Sequence, residues 1–215
     1  MLAVAGTTVA YSQAKKVADV RAVADAVDGH YNHLRSLQTE FTETYRGNGT
    51  DRTESGTLWL KKPRKMRWEY RSPKEKLFIS DGQEVWFYVP SERQARKEAF
   101  RKLEDLRSPL ALLLGKTKLD KELKGLSFAP DVTPASAGNV VLRGIPKGAL
   151  GSTVDQVLLE ITPAHEIARL LLDQTDGAVT EYRFSDQRAN VPIADERFRF
   201  SPPAGVETIE GNLGQ

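Results

Sequence analysis

Met66-Arg-Trp-Glu-Tyr70 alternates apolar and charged residues, so Met66, Trp68 and Tyr70 share one face of an extended chain while Arg67 and Glu69 take the other. That pattern is the mark of a half-buried antiparallel strand. Upstream, residues 37–45 repeat the same period of two, placing Leu37, Thr39, Phe41, Glu43 and Tyr45 together. Gly47-Asn48-Gly49 then offers positive-φ residues, and the chain is expected to double back through residues 53–60. Downstream, Asp81-Gly82 separates the apolar runs 77–80 and 84–89, a second hairpin signal. The charged stretch from Pro90 to about residue 106 reads as a strand or an extended link.

The period changes at both ends of this meander. Val17, Val20, Val23, Ala24, Val27, Tyr31 and Leu34 recur at three- and four-residue spacing, which predicts an amphipathic helix over 17–34. Ser108-Pro109 before Leu110-Ala-Leu-Leu-Leu114-Gly115 supplies an N-cap, a first-turn proline and a terminating glycine, predicting a short apolar helix. Residues 121–128, 139–144, 155–161, 168–173, 178–185 and 197–200 read as further strands between Gly-, Pro- and Asp-rich turns. A sheet of so many strands must curl, and its concave apolar face must be filled by side chains, helices or ligand. The expected fold is α+β, mainly β.

Composition narrows the function classes. The 215 residues carry 31 basic and 29 acidic side chains, a net charge of +2 without a long basic tract, which argues against nucleic acid as the main partner. No apolar run reaches the length of a membrane-crossing helix. Residues 1–14 are small and apolar and end in Ser12-Gln13-Ala14, resembling a signal-peptidase site without its usual basic start. They are expected to be a signal-peptide remnant, leaving residues 15–215 as one domain. Cysteine is absent, so a lipid-modified N-terminal Cys is not expected.

No constellation for catalysis emerges. His30 and His33 lie three apart on the first helix, but no third ligand is evident, and solvated positions explain them better. His165 sits in the turn-like Pro163-Ala-His-Glu166 with no nucleophile beside it. The chain contains no GxSxG, HExxH, Walker or GxGxxG pattern. The basic run at 61–67 falls at a hairpin with alternate residues pointing apart, and Asn48-Gly49-Thr50, a formal sequon, is already explained as a turn.

Gly56-Thr-Leu-Trp-Leu-Lys-Lys-Pro63, Met66 to Tyr70, Pro73, Ser80-Asp81-Gly82, Val85-Trp-Phe-Tyr-Val-Pro90, Gln94 and Phe198-Arg-Phe-Ser-Pro-Pro-Ala-Gly-Val206 follow one another in an order that resembles the LolA family of outer-membrane lipoprotein carriers. The resemblance spans roughly residues 17–206. It implies an unclosed antiparallel barrel, or half-barrel, with helices over its concave apolar face, which opens to admit lipoprotein acyl chains. It also implies a periplasmic carrier, expected to be monomeric. Such a carrier takes acylated lipoproteins from an inner-membrane ABC transporter and passes them to an outer-membrane acceptor, with no cofactor and no enzymatic step. On this reading Phe41, Leu58, Leu60, Met66, Trp68 and Tyr70 line the cavity, and Leu110, Leu112 and Leu113 belong to a lid. The family's latch is an Arg just before the motif Pro, and here that position is Lys62, with Arg64 as a possible substitute. Lys keeps the charge and three donors but lacks the planar fork. The same fold also resembles the lipid-sensing domain of periplasmic sigma-factor regulators, the alternative reading. A lipid hydrolase would require a nucleophile and base that the sequence does not assemble.

Overall fold

A computed structural model describes residues 19–100 and 118–211 of the chain. Asp19 caps the first helix, α1 (Val20–His33), by accepting a hydrogen bond from the Arg21 amide at 3.0 Å. The cap sets the helix start at Val20, later than the apolar spacing alone suggests. Its apolar positions Ala24, Val27 and Tyr31 are buried.

The strands follow in two meanders. The first comprises β1 (Ser36–Gly47), β2 (Thr50–Lys61), β3 (Lys65–Ser72), β4 (Lys76–Ser80), β5 (Glu84–Val89) and β6 (Gln94–Ala99). The β1–β2 turn has φ of 51° at Asn48 and 71° at Gly49, as a tight hairpin matching the twist of its strands requires. The second meander begins with a single helical turn, α2 (Leu119–Glu122). It continues through β7 (Leu123–Phe128), β8 (Val140–Pro146), β9 (Val154–Ile161), β10 (Ile167–Gln174) and β11 (Val179–Ala189). The last described strand is β12 (Glu207–Glu210).

The twelve described strands form one open sheet in the order β12-β6-β5-β4-β3-β2-β1-β11-β10-β9-β8-β7. β1 therefore lies near the middle, paired with β2 on one side and β11 on the other. Helix α1 packs into the concave face, where Ala24, Val27, Tyr31 and Leu34 join Leu37, Phe41, Leu58, Trp68, Leu142, Leu159, Leu170 and Phe184 in one core. The Tyr31 hydroxyl ties the helix to the second meander, accepting from the Ile167 amide at 2.9 Å and donating to Gln187 at 3.3 Å.

Three details differ from the sequence expectations. Residues 121–128 begin in the helical turn and become strand only at Leu123. Residues 197–200, read as a strand, overlap a 3-10 turn at Asp195–Phe198. Their amides bond locally, Arg197 to Ala194 and Arg199 to Glu196, because the segment crosses the outside of the sheet instead of entering a ladder. Phe198 is buried there with Trp59 and Ile193, and the Phe200 ring lies 5.5 Å from that of Trp86. Finally, β12 pairs with β6 in parallel, so the sheet is antiparallel everywhere except at that edge.

Candidate functional site: the concave apolar face

The register assembles the face. Leu60 stands opposite both Leu37 and Met66, Leu58 opposite Trp68, and Gly56 opposite both Phe41 and Tyr70. Directly opposed residues share a face, so the six side chains singled out by alternation come together on the α1 side of three adjacent strands. Phe41, Leu58, Leu60, Met66 and Trp68 are buried, and Tyr70 is half-buried. The Phe41 ring meets Trp68 edge-on at 4.6 Å and Tyr70 at 4.9 Å. Edge-to-face pairs of this kind add about 0.5–1.5 kcal/mol to the burial itself.

Two aromatic side chains not singled out in the sequence complete the patch. Tyr182 and Phe184 of β11 stack nearly parallel at 6.4 Å, and both face Trp68. Their membership depends on the pairing Phe41 to Phe184 and Glu43 to Tyr182. No local pattern announces that pairing.

Toward the β1–β2 turn the face becomes polar. The Tyr70 hydroxyl donates to Glu43 at 2.9 Å, and Lys76 pairs with the buried Glu54 at 2.6 Å while standing 4.4 Å from the centre of the Tyr70 ring. Arg52 reaches the same Glu54 oxygen at 3.3 Å. Burial, followed by the negative charge of Glu43, pushes the phenols of Tyr70 and Tyr182 well above their usual range. Both therefore stay protonated and act as donors.

At the opposite end of β2, the Lys62 ammonium donates to the carbonyl oxygens of Tyr31 at 2.7 Å and Asn32 at 2.9 Å. These carbonyls belong to the last turn of α1, where a cation also meets the negative end of the helix dipole. Lys62 also uses its backbone amide, bonded to the Arg35 carbonyl at 2.9 Å. Lys62 thus joins the first meander to the end of the helix, as Tyr31 joins the helix to the second meander. Arg64 occupies a different place: its guanidinium lies over the Phe100 ring at 5.4 Å, and its carbonyl accepts from Ser80.

Leu110, Leu112 and Leu113, expected to form a lid, lie outside the described residues. Beyond them, the Leu119 amide is held by both oxygens of Asp28, at 3.0 and 3.2 Å, fastening α2 to α1. Burial raises the Asp28 carboxyl above its usual range, against the opposing pull of that amide. His33 is engaged with the Gly29 carbonyl, and the His30 ring lies edge-on to Tyr31. Among the described residues, no three His, Asp or Glu side chains are placed to hold a metal ion. No described helix is long and apolar enough to cross a membrane.

Comparison with known proteins points in one direction. Residues 32–201 match the family model of the outer membrane lipoprotein carrier protein LolA. An outer-membrane lipoprotein carrier protein of Nitrosospira multiformis is 32% identical over 182 residues, covering 82% of this chain and 83% of that protein. Its counterpart in Chromobacterium violaceum is 28% identical over 210 residues, covering 98% and 95%. Among solved structures, an uncharacterized conserved protein of Thermus thermophilus shares the fold. Its TM-score is 0.54 at 12% identity, covering 89% of this chain and 98% of that one.

Proposed function

Because the chain belongs to the LolA family of outer membrane lipoprotein carrier proteins, we propose that its concave face is the cargo site. There the acyl chains of a lipoprotein would displace α1 and the lid and lie against Phe41, Leu58, Leu60, Met66, Trp68 and Tyr70. The observation that carries this reading is a continuous apolar patch whose cover is fastened at one end by Lys62. A cover held by a few polar bonds can leave while the sheet beneath keeps its ladders.

The energetics favour exchange over capture. Burying a methylene from water is worth about 0.8 kcal/mol, so complete burial of two or three long chains would exceed the practical ceiling of about 18–21 kcal/mol. A carrier instead moves chains between apolar environments and need only match the membrane approximately. It closes its own face when empty, which α1 does here through Ala24, Val27, Tyr31 and Leu34.

In this reading the mature protein is residues 15–215, a periplasmic monomer and not an enzyme. It receives lipoproteins from an inner-membrane ABC transporter and delivers them to an outer-membrane acceptor. Leu110, Leu112 and Leu113 add to the cover and touch the acyl chains. The test is to incubate the protein with lipoprotein-loaded spheroplasts. A soluble one-to-one complex with released lipoprotein is expected, and lipoprotein left wholly in the membrane would overturn the proposal.

A further inference from the structure

Lys61 ends β2 and Lys62 is the first residue of the turn that follows, and their side chains point to opposite sides of the sheet. Lys62 faces α1, whereas Lys61 reaches outward to the Ile193 carbonyl at 2.7 Å and to one Asp195 carboxylate oxygen at 2.6 Å. Lys65, opposite Lys61 in the β2–β3 ladder, reaches the other Asp195 oxygen at 2.6 Å. A single carboxylate therefore closes on both strands at the base of the turn that begins with Lys62. The segment carrying it is itself anchored. Arg67 donates to the Arg197 carbonyl at 3.2 Å, the Arg197 guanidinium lies 4.6 Å from the centre of a Trp59 ring, and Phe198 is buried.

We propose that Asp195 is a positioning residue for the Lys62 latch: by clamping Lys61 and Lys65 from outside the sheet, it holds the turn at the height where the Lys62 ammonium meets the α1 carbonyls. The proposal rests on the reading of Lys62 as a latch. Hydrogen bonds weaken steeply with stretch and misalignment, so a hairpin end free to splay would lose the two bonds before any strand unpaired. Exposed ion pairs contribute little to stability one at a time, and the role here is geometric. Hydrogen bonds from Lys61 and Lys65 hold the Asp195 carboxyl down to about 2, so the clamp is ionised throughout the neutral range.

A double-mutant cycle separates this from plain stabilisation of the outer segment. The probe is a fluorescent peptide bearing a tripalmitoylated N-terminal cysteine, titrated into the full chain. Asp195→Asn should favour the open form and tighten binding about two- to ten-fold, yet change nothing further in the Lys62→Leu background. Asp195→Glu should restore wild-type binding. Lys65→Gln, which removes one arm and leaves Lys61 in place, repeats the test should Asp195→Asn fold poorly. An equal shift in both backgrounds, or none in either, overturns the positioning role while the latch stands. Unchanged binding in Lys62→Leu itself overturns the latch, and the positioning role with it.

Discussion

Phe41 reaches Tyr70 across an intervening strand because the residue between them is Gly56: the three are in register on β1, β2 and β3, and the outer two rings meet at 4.9 Å. Any side chain at 56 would stand in that path. A Cβ built there also falls 1.9 Å from the Glu69 carbonyl oxygen, a backbone atom that cannot yield without shifting β3. Gly56→Ala is therefore expected to cost about 3 kcal/mol or more, and Phe41→Ala about 3–5 kcal/mol. Urea unfolding of each variant measures both. A Gly56→Ala protein as stable as wild type would show that β2 and β3 separate easily at this point.

The three tryptophans divide by face, which gives the cargo site a built-in reporter. Trp68 sits in the concave core, while Trp59 packs with Ile193 and Phe198 and Trp86 with Phe200 on the outside. Binding of a triacylated lipopeptide should change the emission of the wild-type protein. Trp68→Phe should remove most of that change, and Trp59→Phe or Trp86→Phe should leave it. A response lost with Trp86 would place the acyl chains on the wrong side of the sheet.

Lys62→Leu removes both bonds to the end of α1. Charge-assisted bonds are worth about 1.5–3 kcal/mol each when shielded, and this ammonium is partly exposed, so the expected shift toward the open form is about ten-fold. Uptake from donor membranes should exceed that of wild type, while delivery to an acceptor falls. Lys62→Arg should preserve delivery, since its fork can hold both carbonyls. Equal delivery by wild type and Lys62→Leu would remove Lys62 from the mechanism.

Glu160 gives the sheet a pH dependence. It is 1% exposed, and burial alone would raise its carboxyl. The Ala135 amide, Asn139, Arg169 and the Ser136 amide more than offset that, leaving it below the usual range. A depressed folded-state value means that the stabilisation is full above about pH 4.5, the unfolded value, and is lost as pH falls through the lower folded value. Glu160→Gln should cost about 2–4 kcal/mol at pH 7, with the gap to wild type narrowing steadily below pH 4.5. Denaturant midpoints across that range provide the check, and a gap independent of pH would show that charge is not what Glu160 contributes.

The half of the chain around Met66 to Tyr70 was legible because each strand carries its own alternation and each turn its own Gly or Pro. Leu58, Leu60, Met66 and Trp68 could thus be placed on one face before any pairing was known. Tyr182 and Phe184 escaped notice because their neighbours, Glu43 and Phe41, are supplied by a strand from the other end of the chain. The buried ion pair of Glu54 with Lys76 is hidden in the same way, since the sequence shows only two charged residues. β12 is short, exposed and charged, with the parallel pairing to β6 as its main support. Residues 197–200 misled because Phe198 and Phe200, two apart, mark one buried face, which an outer strap supplies as well as a strand does.

The place of β1 also orders the birth of the molecule. A chain emerging from its amino end can pair β1 with β2 at once and extend that hairpin through β6. The other edge of β1 must wait for β11, and the Ser36 hydroxyl for the Val191 carbonyl 155 positions later. Until then a long strand edge is left unpaired, the kind of surface on which strands of neighbouring chains pair. Chains cut short before residue 179 should accumulate as aggregates. Nearly the whole polypeptide must be present before the central seam can be drawn shut.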